Sequence, residues 1–107
     1  MKRVGFVVKV KAEKIEEYKE RHKKVWPEML DALRRNGWHS YSLYMRSDGT
    51  LFGYFETPNG LQAAVADMSK EEVNARWQKM MEPYFEALEG SRPDEAMQEL
   101  EEVFHLD

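Results

Sequence analysis

Val4, Phe6, Val8 and Val10 alternate with Gly5, Val7, Lys9 and Lys11 at the start of the chain. A period of two, rich in β-branched residues, predicts a first strand. The pattern changes at Lys11-Ala12, and a helical segment is expected over residues 13–36. Glu16, Glu17 and Glu20 near its start and Arg34 and Arg35 at its end suit the helix dipole. Pro27 interrupts it, because proline removes an amide donor; the expectation is a kink, or a second helix with Pro27 in its first turn. Val25, Met29, Leu30 and Leu33 then form an apolar stripe, and Asn36-Gly37 supplies the stop.

Residues 38–45 read as a second strand, with Trp38, Ser40, Ser42 and Tyr44 on one face and His39, Tyr41, Leu43 and Met45 on the other. Ser47-Asp48-Gly49-Thr50 has hairpin chemistry, so residues 51–56 form a third strand antiparallel to the second. A short apolar helix follows over residues 61–68. Ser69-Lys70-Glu71-Glu72 matches a capping box and predicts a helix restarting there and running to about residue 88, with Val73, Trp77, Met80, Met81 and Tyr84 on one face. Pro83 is placed to kink it. A loop spans residues 90–94, and residues 100–106 alternate as a last strand.

Strand, helix, strand, strand, helix, strand is the split βαβ order of ferredoxin-like α+β folds, an antiparallel sheet with helices on one face. The other face is uncovered within one copy, and strand two carries apolar and aromatic residues on both faces. Two sheets packed face to face would cover it, giving a symmetric homodimer. The 107 residues form one domain, residues 1–107, with no repeat or low-complexity segment. A domain of this size buries only roughly 60–70% of its unfolded surface, so a partner copy would add stability.

Composition removes several functions. A net charge of −4, spread along the chain, supplies no basic patch for nucleic acid. No apolar run approaches the ~20 residues of a membrane span. With no cysteine there is neither disulfide nor thiol chemistry, and seven methionines without cysteine fit a cytoplasmic location. No serine sits in a nucleophile-elbow glycine pattern, and glycine-rich phosphate loops are absent. His22, His39 and His105 show no metal-ligand spacing, so no metal site is expected; His39 and His105 read as structural or surface residues.

What remains is acid/base chemistry without a cofactor. Tyr18, His22 and Trp26 recur every four residues, which on a helix makes one row. Imidazole titrates near neutrality, and aromatic rings pack on the C–H faces of a sugar. His22 is therefore the candidate for proton transfer, with Tyr18, Tyr41 and Trp77 as ring contacts. Arg76, Gln78 and Glu20 or Glu102 are candidates to meet hydroxyls. The same rings would equally serve as core aromatics, with His22 bonded to backbone and Arg76 a surface charge.

Glu17-Tyr18 and Arg21-His22, followed by Trp26-Pro27-Glu28, together with Gly37, Tyr41-Ser42, Leu51-Phe52-Gly53, Arg76-Trp77 and the ending from Glu99 to Leu106, resemble the L-rhamnose mutarotase family over nearly the whole chain. The resemblance implies a dimeric α+β barrel built from two ferredoxin-like sheets. It implies interconversion of the α and β anomers of L-rhamnose, with His22 as general acid/base and Tyr18, Tyr41 and Trp77 on the substrate. The chain departs from the family where Arg-Trp-Trp becomes Arg76-Trp77-Gln78, where a tryptophan near Leu61 is missing, and in the loop Ser91-Arg92-Pro93-Asp94-Glu95. Those differences bear on which sugar is taken.

The implied reaction opens and recloses the sugar ring at the anomeric carbon. One group removes the anomeric hydroxyl proton while another protonates the ring oxygen. Positioned proton transfer is worth about 10²–10⁴-fold, enough for a reaction already measurable in water, so no cofactor is required. The partner of His22 is left open between Tyr18, a carboxylate and water. Met80, Met81 or Leu43 are candidates to line a pocket for the methyl group of rhamnose. Other readings are a mutarotase for a different deoxysugar, a non-catalytic sugar-binding dimer, and a cofactor-free monooxygenase or haem-degrading enzyme, the last by fold analogy alone.

Overall fold

The computed structural model describes residues 1–86, 88 and 90–107. Four strands, β1 (Lys2–Lys9), β2 (His39–Met45), β3 (Thr50–Thr57) and β4 (Gln98–Leu100), form one sheet in the order β2-β3-β1-β4. Every neighbouring pair is antiparallel. Four helices, α1 (Ile15–His22), α2 (Pro27–Arg35), α3 (Leu61–Met68) and α4 (Glu72–Met81), complete a small α+β domain.

The period of two in β1 does what it predicts. Val4, Phe6 and Val10 are buried and join Leu51 and Phe55 of β3 in one core with residues of all four helices, so the helices cover one face of the sheet. The opposite face is left open, with Tyr44, Phe52 and Leu100 among its exposed apolar side chains. Phe6 pairs with Gly53 across the ladder, and its ring lies where a side chain at Gly53 would be: a Cβ there would sit 2.1 Å from Phe6 Cζ. Glycine at this position is a space requirement.

Strand β2 is not the regular strand that its alternation predicts. His39 pairs with Glu56 and Ser42 with Tyr54, so two residues, Ser40 and Tyr41, face the single Phe55. Ser40 takes the left-handed conformation, φ 51°. This β-bulge reverses the facing of everything before it. Trp38, expected on the side of Ser42 and Tyr44, turns to the helix side with Tyr41. It stacks on Phe55 with ring centroids 3.9 Å apart and planes 9° apart. His39 is thereby turned outward and is exposed.

Pro27 opens a second helix, the second of the two expected outcomes. At its end Gly37, φ 82°, lets Trp38 N–H reach the Leu33 carbonyl and Gly37 N–H the Arg34 carbonyl, closing the turn. The capping box at Ser69 does not form. Ser69 instead ends α3, its Oγ donating to the Ala66 carbonyl, and Glu71, bound by Arg35 and Asn36, takes the position before α4; Glu72, the acid of the expected box, pairs with Arg76. Helix α4 stops at Met81, short of the expected residue 88. Pro83, which lacks an amide donor, lies in a tight turn over Glu82–Tyr84, after which Phe85 pairs with Val10; Ala87, on the expected helix, lies outside the described residues. The last strand is three residues rather than seven and begins earlier, at Gln98. Leu100 already pairs with Gly5, so little of the β1 edge remains beyond it, and Val103, Phe104 and Leu106 are exposed.

Candidate active site

Tyr18 and His22, one helical turn apart on α1, come together as their spacing predicts. Their rings stack with centroids 4.1 Å apart. The helix ends at His22, and Trp26, held in an extended conformation before Pro27, leaves the helical row. It returns to the cluster through Trp77 of α4, which stands edge-on to Trp26 at 5.1 Å and to His22 at 5.5 Å. The predicted row is thus a cluster of two helical segments and α4. Arg76, next in sequence to Trp77, is exposed; it lies over Trp26 and pairs with Glu28.

His22 is held in one tautomer. Its Nδ1 lies 3.0 Å from the Tyr18 carbonyl oxygen. A carbonyl can only accept, so Nδ1 carries the hydrogen and Nε2 is left with a free lone pair. Burial lowers the imidazole pKa below its usual value, and the bond to the Tyr18 carbonyl offsets this only in part. The ring is therefore a neutral base at physiological pH. The phenols of Tyr18 and Tyr41 are pushed the other way, above the usual tyrosine range, chiefly by burial, with the charge of Asp94 adding to the effect at Tyr41. Both stay protonated, so each phenol has a hydrogen to donate.

A cavity of about 320 Å³ opens between the sheet and the helices, at the small end of the range that accepts small molecules. His22, Tyr41, Trp77 and Gln78 line it. Much of the wall is apolar, including Met29, Leu30, Leu33 and Leu43; Asn74, Gln78 and Asp94 give it a polar part. A further volume of about 60 Å³, sharing His22, Tyr41, Trp77 and Gln78, reaches Tyr18 and Met81. Five of the six expected site residues therefore gather around one space, and Arg76 stands outside it. Glu20 and Glu102 are also outside, each exposed and paired with a cation, Lys23 and Arg3 respectively. His105 is exposed beside Asp107. Among the described residues no three His, Asp or Glu side chains converge as a metal ion would require.

Gln78 is buried, and both ends of its amide are engaged: Nε2 donates to Asn74 Oδ1 at 3.0 Å, and Oε1 accepts from the Asp94 amide at 3.1 Å. Asn74 and Asp94 escaped the sequence reading. Asn74 carried a signal, a polar residue four before Gln78 on the buried side of an amphipathic helix. Asp94 carried none, since it reaches the cavity only through the course of its loop.

Comparison with known proteins gives one family. A family model described as L-rhamnose mutarotase matches residues 3–106. The chain is 38% identical to the L-rhamnose mutarotase of Bacillus subtilis and 35% identical to that of Oceanobacillus iheyensis, with all of each chain covered in both cases. The crystal structure of an L-rhamnose mutarotase from Formosa agariphila superposes with a TM-score of 0.79 at 27% identity, again over the full length of both chains.

Proposed function

The chain belongs to the L-rhamnose mutarotase family, and from that premise we propose that it interconverts the α and β anomers of L-rhamnose, with His22 as the group that moves the proton. The observation that carries the mechanism is the imidazole itself: neutral, stacked on Tyr18, its Nδ1 hydrogen fixed on a carbonyl, and lining a cavity. Nε2 accepts the proton of the anomeric hydroxyl as the bond between the anomeric carbon and the ring oxygen breaks. The ring oxygen is protonated from a donor on the other side, for which the phenols of Tyr18 and Tyr41 and a water molecule are candidates. The aldehyde group rotates, the hydroxyl attacks its other face, and the protons return. No electrons are exchanged, and no cofactor is called for.

Tyr18, Tyr41 and Trp77 offer ring faces and edges to the sugar. The apolar wall at Leu30, Leu33 and Leu43 suits a 6-deoxysugar, whose methyl group has no hydrogen bond to lose. Gln78 holds the loop that carries Asp94, and Arg76 lies against Trp26, backing that ring. Pure α-L-rhamnose mixed with the protein tests the reading by saturation-transfer NMR. The expected result is anomer exchange well above the rate in buffer. Sugar that binds without faster exchange would leave a non-catalytic binding protein. Because Gln78 stands where the resemblance puts the second tryptophan of Arg-Trp-Trp, a panel of deoxysugars in the same assay separates L-rhamnose from a related substrate.

We further assign the strand order to the ferredoxin-like arrangement and the protein to a homodimer, in which two such sheets make an α+β barrel. The open face with Tyr44 and Phe52 and the exposed Val103, Phe104 and Leu106 support this reading, because apolar area of that kind favours burial. Sedimentation equilibrium at micromolar concentration is expected to give twice the chain mass; a monomer there overturns it. The partners are then a small sugar and a second copy, with neither nucleic acid nor membrane, consistent with a net charge of −4 and with no helix long and apolar enough to cross a bilayer. A cytoplasmic location suits a cysteine-free sugar isomerase.

A further inference from the structure

Asp94 is the only carboxylate that lines the cavity among the described residues. It lies on the tight turn Pro93–Ala96 that leads into β4, and it is 6% exposed. Three donors hold it. Arg92 Nε reaches Oδ1 at 3.2 Å, Arg92 Nη2 reaches Oδ2 at 2.9 Å, and Asn74 Nδ2 reaches Oδ2 at 3.1 Å. Its own amide donates to Gln78, whose Nε2 in turn donates to Asn74, and Asn74 Nδ2 also donates to the Met68 carbonyl. Asp94 faces this cavity and also borders a further space lined by Leu61, Val65 and Arg92.

Counting acceptor positions shows what is left open. A carboxylate offers about four lone-pair positions. Two on Oδ2 and one on Oδ1 are filled, so one on Oδ1 is free. Both hydrogens of Asn74 Nδ2 are used, while Gln78 Nε2 keeps one. A buried, charged and rigidly held acceptor with a vacant position, beside an amide hydrogen, is matched to a hydroxyl, which both donates and accepts. We propose that Asp94 binds a non-anomeric hydroxyl of the sugar and sets which polyhydroxy ring the cavity accepts, with Asn74, Gln78 and Arg92 as its positioning residues. This rests on the reading that the cavity takes a sugar. It divides the labour of the site: His22 acts at the reactive carbon, while Asp94 fixes the ring from another hydroxyl. It also gives Gln78 a purpose, since an aromatic ring there could not hold the Asp94 amide.

Two measurements test it. Asp94→Asn keeps the shape and removes the charge, and a hydrogen bond to a charged group is worth enough that KM for L-rhamnose exchange should rise about tenfold or more, with kcat within about threefold. Wild-type protein should lose a similar factor against one monodeoxy analogue of L-rhamnose, and Asp94→Asn should no longer distinguish that analogue from the parent sugar. A merely structural role would lower the melting temperature without erasing that discrimination. If Asp94→Asn fails to fold, the wild-type analogue series decides alone. Analogues that all keep KM within about twofold of the parent overturn the proposal. Should the wild type show no exchange, the functional reading fails, and the same comparison is made on Kd for L-rhamnose from tryptophan fluorescence; unchanged Kd in Asp94→Asn, or no binding at all, overturns the assignment of Asp94.

Discussion

Replacing Gly53 with alanine tests how the core and the site are tied together. The added Cβ would meet Phe6 Cζ, Cε1 and Cε2 at 2.1, 2.3 and 2.7 Å, against an ordinary carbon contact of about 3.5–4 Å. Phe6 is 0% exposed and packs against Phe55 at 6.2 Å and Tyr41 at 6.4 Å, so the ring can give way only into the volume of about 60 Å³ that it lines with Tyr18, His22 and Tyr41. Overpacking of a filled core costs roughly 1–3 kcal/mol, and this overlap lies at the upper end. Alanine recovers about 0.4–1 kcal/mol by restricting the unfolded chain, which leaves a net loss of about 2–3 kcal/mol. For a domain near 100 residues that lowers Tm by roughly 8–24 °C. Thermal unfolding followed by circular dichroism at fixed protein concentration measures it, the concentration being held because a dimer would make Tm depend on it. Phe6→Leu, which lacks the clashing ring edge, should rescue Gly53→Ala with a coupling of at least ~1 kcal/mol in a double-mutant cycle. The displaced Phe6 should also push Tyr41 and raise KM in the exchange assay. A Gly53→Ala protein within about 0.5 kcal/mol of wild type, the range of ordinary surface substitutions, would refute the packing argument.

His22→Ala should slow anomer exchange by about 10²–10⁴-fold; exchange at the wild-type rate would remove His22 from the mechanism. Because burial lowers its pKa, the neutral base survives to lower pH than a free imidazole, so the acidic limb of kcat/KM should fall below pH 6.5. The same shift makes folding stability full above pH 6.5 and reduced as pH falls toward the lowered value; a limb at or above 6.5 would show the ring is not desolvated. Glu71 accepts two hydrogen bonds from Arg35 and one from Asn36, which hold its carboxyl at about 2. Its contribution is therefore complete above about pH 4.5 and lost as pH falls toward 2, and Glu71→Gln should flatten that part of an acid titration of stability. A left-handed residue other than glycine costs about 1–2 kcal/mol, so Ser40→Gly should hold or raise Tm and Ser40→Val should lower it. Equal melting temperatures for these two variants would deny the bulge its strain.

The site was legible where its residues are close in sequence. Tyr18 and His22 are four apart on one helix, and nothing beyond helical geometry is needed to stack them. Trp26 shows the limit, because Pro27 broke the row and only the packing of α4 brought Trp26 back beside Trp77. Alternation grouped Tyr41 with Leu43 and Met45, which pack together against the core, yet it put Trp38 on the opposite face, since a single left-handed residue at Ser40 shifts the register by one. The capping box at Ser69 failed for a similar reason. The residue before α4 is Glu71, two positions after Ser69, and it is held by Arg35, which is far away in the chain and adjacent in space.

The chain's own pattern of apolar and polar positions determined the α+β composition and the strand and helix order, while the motif Glu17-Tyr18, Arg21-His22 and Trp26-Pro27-Glu28 carried the resemblance to the family. Those properties follow from covalent neighbours: a period of two or 3.6, a proline without an amide hydrogen, an imidazole one turn from a phenol. Tertiary structure alone decided that Phe6 lies across Gly53, that Trp38 turns inward, that Arg76 stands outside the cavity and that Asp94 enters it. These depend on which side chains fill which space once distant segments meet. Close packing and the pairing of buried polar groups are settled only in three dimensions.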